Sequence, residues 1–394
     1  MKILVSVTAF FPYGTPIASR MLNFSRLFSF LGHEVIVFCD YLSNKEYKVS
    51  ANYAEFENLK IFYSFENRDL ESKILKNFKT PKLIENFLNK NDVNLLFSSS
   101  STERYKSVLK LAKKKNIPLV LESCEKFHYS NWSWGRFNPQ YYKFNHCWDH
   151  DYFKADAIIP ISRFIENHFK KNGKRVVRIP TILDVEKLPC RTNREGSQSI
   201  RYVFSGGLGH GKDSLVEFMI AMNNTKGKLK HSIELNIYGP SKDAVRESLK
   251  ENAFVMDELG DAIHYHGRIP QNEIPLRLME NDFGIILRPQ RESSNAGFPT
   301  KLAEYMAAGL SVIANNTGDI GLYLNKSNGF ILNNKNISSV ENAILKIDVL
   351  TSEDLLTKRK NARKTAEKYF DYRLYKELIQ TFFKNVKFDH GKIV

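Results

Sequence analysis

The strongest constraint on this chain is a rhythm that runs twice. Short apolar runs alternate with helical patterns over residues 3–179, and the alternation restarts at residue 202. In the first series, residues 3–7 (ILVSV), 34–38 (EVIVF), 59–63, 94–97, 118–121, 157–161 and 175–179 read as strands. Residues 16–31, 70–88 (interrupted at Pro81), 103–114, 141–153 and 164–171 read as helices. In the second series the strands are 202–204, 233–238 (IELNIY), 263–266, 283–287 (FGIIL), 311–314 and 330–332, with helices at 214–222, 245–252, 274–279 and 301–308. Near-continuously apolar strands joined by helices predict parallel sheets covered on both faces. Between the series lies RTNREGSQ (191–198), a stretch without an apolar residue. The expected fold class is α/β: two doubly wound domains with a cleft between them and a helical tail from residue 354 onward. The predicted boundaries are 1–190 for the first domain, 191–199 for a linker, 200–370 for the second domain, and 371–394 for a helix returning to the N-terminal domain. In such folds a small ligand sits at the carboxyl ends of the strands.

The charge narrows the ligand. Lys+Arg number 58 against 43 Asp+Glu, a net +15, which favours an anionic partner: nucleic acid, an anionic membrane surface or a phosphate-rich substrate. The four cysteines form no CxxC pair, so neither a zinc site nor a disulfide framework is expected. The apolar start is broken by Pro12 and Gly14 without a cleavage pattern and reads as a first strand. No run approaches the roughly 18 apolar residues of a membrane span. The expected setting is the cytoplasm.

Two elements point to phosphate. Residues 283–315 read FGIILRPQRESSNAGFPTKLAEYMAAGLSVIAN: a buried strand ending at Arg288, a loop, and a helix beginning near Pro299. Gly297 permits close backbone approach, and Pro299 suits a first helical turn. The free N–H groups there form an anion site, to which Lys301 adds a charge and Thr300 a hydroxyl. Glu304 shares the helix face of Lys301 and either accepts hydrogen bonds from a ribose or simply favours the positive helix end. The second element is SGGLGHGKDS (205–214), a glycine-rich turn with Lys212 ahead of a helix, which is one way a chain cradles phosphate.

These motifs resemble the group 1 glycosyltransferases, a large retaining family with the two-Rossmann GT-B architecture. The most specific match is FPTKLAEYMAAG (298–309) followed by VIA (312–314). GHEV (32–35), RIP (178–180), YGP (238–240) and GRIP (267–270) resemble further family turns. The resemblance implies that the second domain binds a nucleotide-sugar donor, UDP- or GDP-linked. It implies that Lys212 and Lys301 neutralise the donor diphosphate and that Glu304 binds the ribose. Arg268 and Ile269 would hold the base. Gly207, Gly209, Tyr238, Ala296, Gly297, Phe298, Pro299 and Thr300 would line the donor site. No metal or other cofactor is implied, since basic residues and helix N-termini take its place. Two departures are visible. The family's Glu-x7-Glu would put its first Glu where Ala296 stands. An Arg frequent in the first loop is replaced by Gly207, and Arg288 is the candidate to supply that charge.

In the first domain the resemblance implies an acceptor. Glu125 is the better candidate to orient it or assist proton transfer, while His128 reads more readily as a hydrogen-bonded loop residue. Gly14 lies in the first strand–helix loop, where the resemblance implies a glycine that admits donor phosphate or acceptor. Residues 98–102 (SSSST) are either acceptor contacts or an N-cap cluster. The loop carrying Trp132, Trp134, Phe137, Tyr141 and Tyr142 suits sugar stacking or lipid contact, and equally a small core under a long loop. Basic residues concentrate in 101–116, 70–91 and 170–178, which suits an anionic inner-membrane surface. The expected function is a retaining, metal-independent transfer of a sugar to a saccharide or lipid-linked saccharide in bacterial surface polysaccharide synthesis. Two rivals are a sugar-nucleotide epimerase or hydrolase of the same fold and a nucleic-acid-binding protein, for which no motif is present.

Overall fold

A computed structural model describes residues 1–191, 199–208 and 213–385. The proposed linker (191–199) falls largely outside them, as do Gly209, Lys212 and the last residues of the tail. The chain divides into two compact units, Met1–Leu183 with Tyr372–Val394, and Asp184–Asp371.

Unit 1 contains β1 (Lys2–Ser6), β2 (Phe10–Phe11), α1 (Pro16–Phe30), β3 (Glu34–Leu42), β4 (Lys48–Ser50), β5 (Tyr53–Phe56), β6 (Leu59–Phe65), α2 (Leu70–Leu88), β7 (Leu95–Ser99), α3 (Thr102–Lys115), β8 (Leu119–Ser123), α4 (Pro139–His146), β9 (Ala157–Pro160) and α5 (Arg163–Lys171). The sheet order is β4-β5-β6-β3-β1-β7-β8-β9, with β2 beside β3. All pairs are parallel except β4–β5 and β5–β6. Strand order therefore reverses between β1 and β7, the switch point where ligands bind in such sheets.

Local chemistry sets the elements. Thr15 caps α1 by accepting from Ala18 N at 3.2 Å, and Pro16 fills its first position. The helix buries Met21, Leu22, Phe24, Leu27 and Phe28 and ends at Gly32, whose φ of +81° only glycine adopts freely. After Tyr372 the chain lies in unit 1: Ile379, Phe382 and Phe383 of α14 (Lys376–Asn385) join the core around Phe28.

Three details bear on the sequence reading. Residues 175–179 lie parallel to β9 as expected of an edge strand: Ile158 N donates to Arg175 O at 3.0 Å, Val177 N to Ile158 O at 3.2 Å and Ile179 N to Pro160 O at 3.0 Å, around a bridge of Val176 to Ile158. α2 continues through Pro81 instead of breaking there. The antiparallel β4–β5 hairpin has no apolar run to announce it: Lys48, Val49 and Ser50 are all exposed.

Unit 2 contains β10 (Ser199–Ser205), α6 (Val216–Thr225), β11 (Ser232–Tyr238), α7 (Lys242–Leu249), α8 (Phe254–Leu259), β12 (Ile263–Gly267), α9 (Ile274–Met279), β13 (Phe283–Ile286), α10 (Glu292–Ala296), α11 (Thr300–Ala307), β14 (Ser311–Asn315), β15 (Gly329–Leu332), α12 (Ile337–Asp348) and α13 (Ser352–Tyr369). Its sheet is wholly parallel, in the order β12-β11-β10-β13-β14-β15. This is the dinucleotide-fold order 3-2-1-4-5-6, with its reversal between β10 and β13. Among the described residues, no helix is long and apolar enough to cross a membrane.

Candidate functional site

The reversal in unit 2 is built from backbone at very close range. Gly206, just past β10, has φ +124°, and its N–H donates to Tyr238 O at 2.9 Å. Gly239 N donates to Gly267 O at 2.7 Å. The ends of β10, β11 and β12 are thus tied side by side. A Cβ at Gly239 would lie 2.6 Å from Gly206 O, so glycine is required for that approach.

Helix α11 is pinned against this floor. A Cβ on Gly284 in β13 would fall 2.1 Å from Tyr305 Cδ2, so the strand is bare where the tyrosine ring crosses it. The Tyr305 hydroxyl accepts from Ser205 N at 2.9 Å. The helix start therefore faces the β10–β13 reversal, and its N-cap, Pro299, offers no side-chain bond to the first turn. Leu302 N is taken by Pro299 O at 3.0 Å, and the remaining first-turn N–H groups with the helix dipole favour an anion there.

Lys301 sits in this first turn. Its Nζ lies 2.8 Å from Asp213 Oδ2 and 4.1 Å from the centre of the Phe204 ring. A Cβ at Gly206 would meet Lys301 Cε at 2.6 Å, so the glycine makes the lysine's berth. Arg288 is buried at the end of the β13 segment. Its Nη1 donates to Ser294 O at 3.0 Å, while Nε lies 3.5 Å from Asp213 Oδ1. Glu304 lies one turn further into α11. Burial pushes its carboxyl above the usual value, and the charge of Lys301 opposes this.

The remaining donor-side residues are distributed as follows. Ala296, Phe298 and Tyr238 are buried, and Gly297 holds Arg288 through its carbonyl at 3.4 Å. Phe298 packs edge-on to Tyr323, and Tyr238 stacks on His266 at 4.3 Å. Thr300 and Ile269 are half-buried, and Gly207 and Arg268 are exposed. Lys212 and Gly209 lie outside the described residues. Thus Lys301 and Arg288 meet at Asp213 beside the end of β10, Glu304 lies one turn further along α11 within the field of Lys301, and Arg268 with Ile269 follow the tied end of β12. Sequence reasoning passed over Asp213, Tyr305 and Gly206. The signals were there: an acid beside the loop lysine, and a large aromatic opposite a glycine in a buried strand.

The carboxyl edge of unit 1 has a different character. Ser6 ends β1, Ser99 ends β7 and Ser123 ends β8, and the strands are neighbours. The hydroxyls of these three and of Thr8 are buried without a hydrogen-bond partner among the described residues. Glu122, at the end of β8, is taken by Arg20: Nε donates to its Oε1 at 2.5 Å, and the guanidinium also holds the carbonyls of Ile179 and Pro180 at 2.9 and 2.6 Å. Glu125 is half-buried in the loop that follows. His128 caps the short turn Tyr129–Asn131, with Nδ1 2.9 Å from Ser130 Oγ and its backbone N–H on Asn131 Oδ1. Gly14, at φ +117°, lies just before the α1 cap. The aromatic loop divides. Trp132 and Phe144 pack on Phe127, whereas Trp134 and Phe137 are exposed.

Residues 199–347 match the family described as Glycosyl transferases group 1. No curated protein matches the chain. Among solved structures it is similar to sucrose-phosphate synthase from Thermosynechococcus elongatus (12% identity, TM-score 0.71, 98% of each chain covered). It is also similar to Anabaena Alr3699/HepE in complex with UDP and glucose (14%, 0.65, 97% of this chain and 98% of that one). A third is WaaG, a glycosyltransferase involved in lipopolysaccharide biosynthesis (13%, 0.65, 96% and 99%). At these identities the likeness shows a shared fold, the GT-B architecture.

Proposed function

We propose that the chain transfers a sugar, with retention, from a nucleotide-sugar donor to a saccharide or lipid-linked saccharide, on the premise that the match of residues 199–347 to the group 1 glycosyltransferases marks unit 2 as the donor domain. One observation carries the reading. Lys301 stands in the uncapped first turn of α11, at the strand-order reversal, where a diphosphate would meet helix N–H groups and a fixed cation together. The leaving nucleoside diphosphate gains negative charge as the sugar departs. Donors fixed before the reaction stabilise that charge without reorganising. Lys301 is the leading such group, Lys212 the second, and Arg288 shapes the 294–297 loop around them. No metal is needed in this scheme, because cations and helix N–H groups face the phosphates. Glu304 accepts hydrogen bonds from the ribose, and Arg268 with Ile269 bound the base. That the Anabaena protein holds UDP supports a uridine donor.

For the acceptor, the buried hydroxyls of Ser6, Thr8, Ser99 and Ser123 suit a polyhydroxylated ligand, and Glu125 is the residue proposed to orient it. A surface glycan built at the cytoplasmic face of a membrane is the proposed setting. Titration of the protein with UDP, GDP, ADP and TDP, then with their sugars, tests the donor reading. Selective binding of one nucleotide is expected, and no binding of any would overturn it. Proton NMR of the product anomer tests retention. Free hexose forming equally fast without an acceptor would point to a hydrolase or epimerase instead.

A further inference from the structure

Helix α2 is built inside out. Over its first three turns the buried side chains are Ser72 and Thr80, while Leu70, Ile74 and Phe78 are 74%, 60% and 71% exposed. Residues four apart share a helix face, so these three form one apolar stripe pointing to solvent. Leu75 is exposed beside it. A surface helix of a soluble domain shows the opposite arrangement.

The inward side is held by polar bonds. Ser72 Oγ lies 3.1 Å from Tyr41 OH, and Thr80 Oγ1 bonds both Asp40 Oδ1 at 2.9 Å and Ser64 Oγ at 2.5 Å. Arg104, fully buried and paired with Asp40, donates to Lys76 O at 3.0 Å. The segment is therefore firmly seated with its stripe outward, and the exposure is not that of a frayed end.

Charge identifies what covers it. Lys73, Lys79 and Lys82 are exposed along the same helix, with Lys79 Nζ 4.5 Å over the Phe65 ring and Lys82 Nζ 3.7 Å from Glu85 Oε2. Of the two acids on α2, Glu85 is engaged by Lys114 at 2.8 Å, leaving Glu71 in the first turn. A second copy of the chain seated on this face would set lysine rows against lysine rows. An anionic bilayer instead receives the apolar side chains below its headgroups and the lysines among its phosphates.

We infer that the 70–82 face of α2 is a membrane-docking element that inserts Leu70, Ile74 and Phe78 into an anionic lipid surface. It deepens the membrane-side setting proposed above and gives it a specific anchor. The ties from α2 through Arg104 lead directly to the segment after β7, so the anchor is fixed to the strand edge proposed for the acceptor.

The test is co-sedimentation of the full chain with vesicles of phosphatidylcholine alone or mixed with phosphatidylglycerol, without donor or acceptor. Retention on the anionic vesicles is expected, weakening as salt rises. Ile74→Ser with Phe78→Ser should reduce it about tenfold or more, since each side chain contributes buried apolar area. Lys73→Gln with Lys82→Gln should weaken binding chiefly at low salt. Because these positions are exposed, the variants should keep the wild-type melting temperature and nucleotide affinity. Equal retention of wild type and the serine variant would overturn the inference. So would a wild-type dimer, seen by sedimentation equilibrium, that the serine variant converts to monomer. Nucleotide binding without vesicle retention would refute the docking element and leave the donor reading standing.

Discussion

Lys301 Nζ lies 2.8 Å from Asp213 Oδ2, and Arg288 Nε lies 3.5 Å from the other oxygen of the same carboxylate. An acid thus stands where the proposed reading needs an incoming diphosphate. It holds the lysine in place, and it is also an anion that the donor must displace. Asp213→Asn keeps the side chain's size and removes the competing charge. Its affinity for a nucleoside diphosphate is expected to rise roughly three- to tenfold, about 1 kcal/mol, with a smaller loss of stability. Isothermal titration against wild type decides it. A weaker complex in the variant would make Asp213 a positioner of Lys301 and not a stand-in for phosphate.

The lysine itself should be worth far more to turnover than to folding. Lys301→Ala is expected to lower kcat by about 10²–10³, the usual cost of losing one donor aimed at developing charge. Near-normal transfer would remove Lys301 from the mechanism. Gly206→Ala gives an independent route to the same phenotype. Its Cβ would sit 2.6 Å from Lys301 Cε, at a φ of +124° that alanine adopts only under strain. The lysine must move aside, so this variant should lose transfer while retaining a cooperative melt.

The contact of Tyr305 with Gly284 separates structural from chemical roles. Tyr305→Phe leaves the Ser205 N–H without its acceptor, and such a buried group costs about 1–3 kcal/mol. Gly284→Ala is expected to cost more, since its Cβ would enter the tyrosine ring at 2.1 Å. Both should appear as lower melting temperatures by calorimetry, the alanine variant falling further.

The rhythm of apolar runs was enough to read both wound sheets, because a strand buried on both faces needs little besides apolar residues. It failed where pairing depends on neighbours and not on burial. The exposed β4 is the case in point. Lys301 and Glu304 could be singled out as candidates because a helix start and its spacing are local properties. Asp213 was not, since its meaning lies in an ion pair with a residue 88 positions away. The stripe on α2 was equally hidden. Residues 70–88 read only as a basic helix interrupted at Pro81, and which of its faces is inward shows only in the burial of Ser72 and Thr80.

Glu304 yields a prediction about pH. Burial pushes its carboxyl above the ordinary glutamate value of 4.5, and Lys301 offsets this only in part. A carboxyl with a native pKa above its unfolded one takes up a proton on folding. Its contribution to stability is therefore fully present below pH 4.5 and is lost as pH rises through the raised native value. Glu304→Gln is neutral at every pH. It should melt above wild type at neutral pH, and the two should converge at about pH 4. Nucleotide binding should run the other way. Ribose hydroxyls donate best to the ionised carboxylate, so wild-type affinity should fall as the solution is acidified through the raised value. The glutamine variant should bind more weakly at neutral pH and lose that acid limb. Calorimetric melts and UDP titrations at matched pH measure both. A wild-type affinity that is flat through the acid range would take Glu304 out of the ribose site.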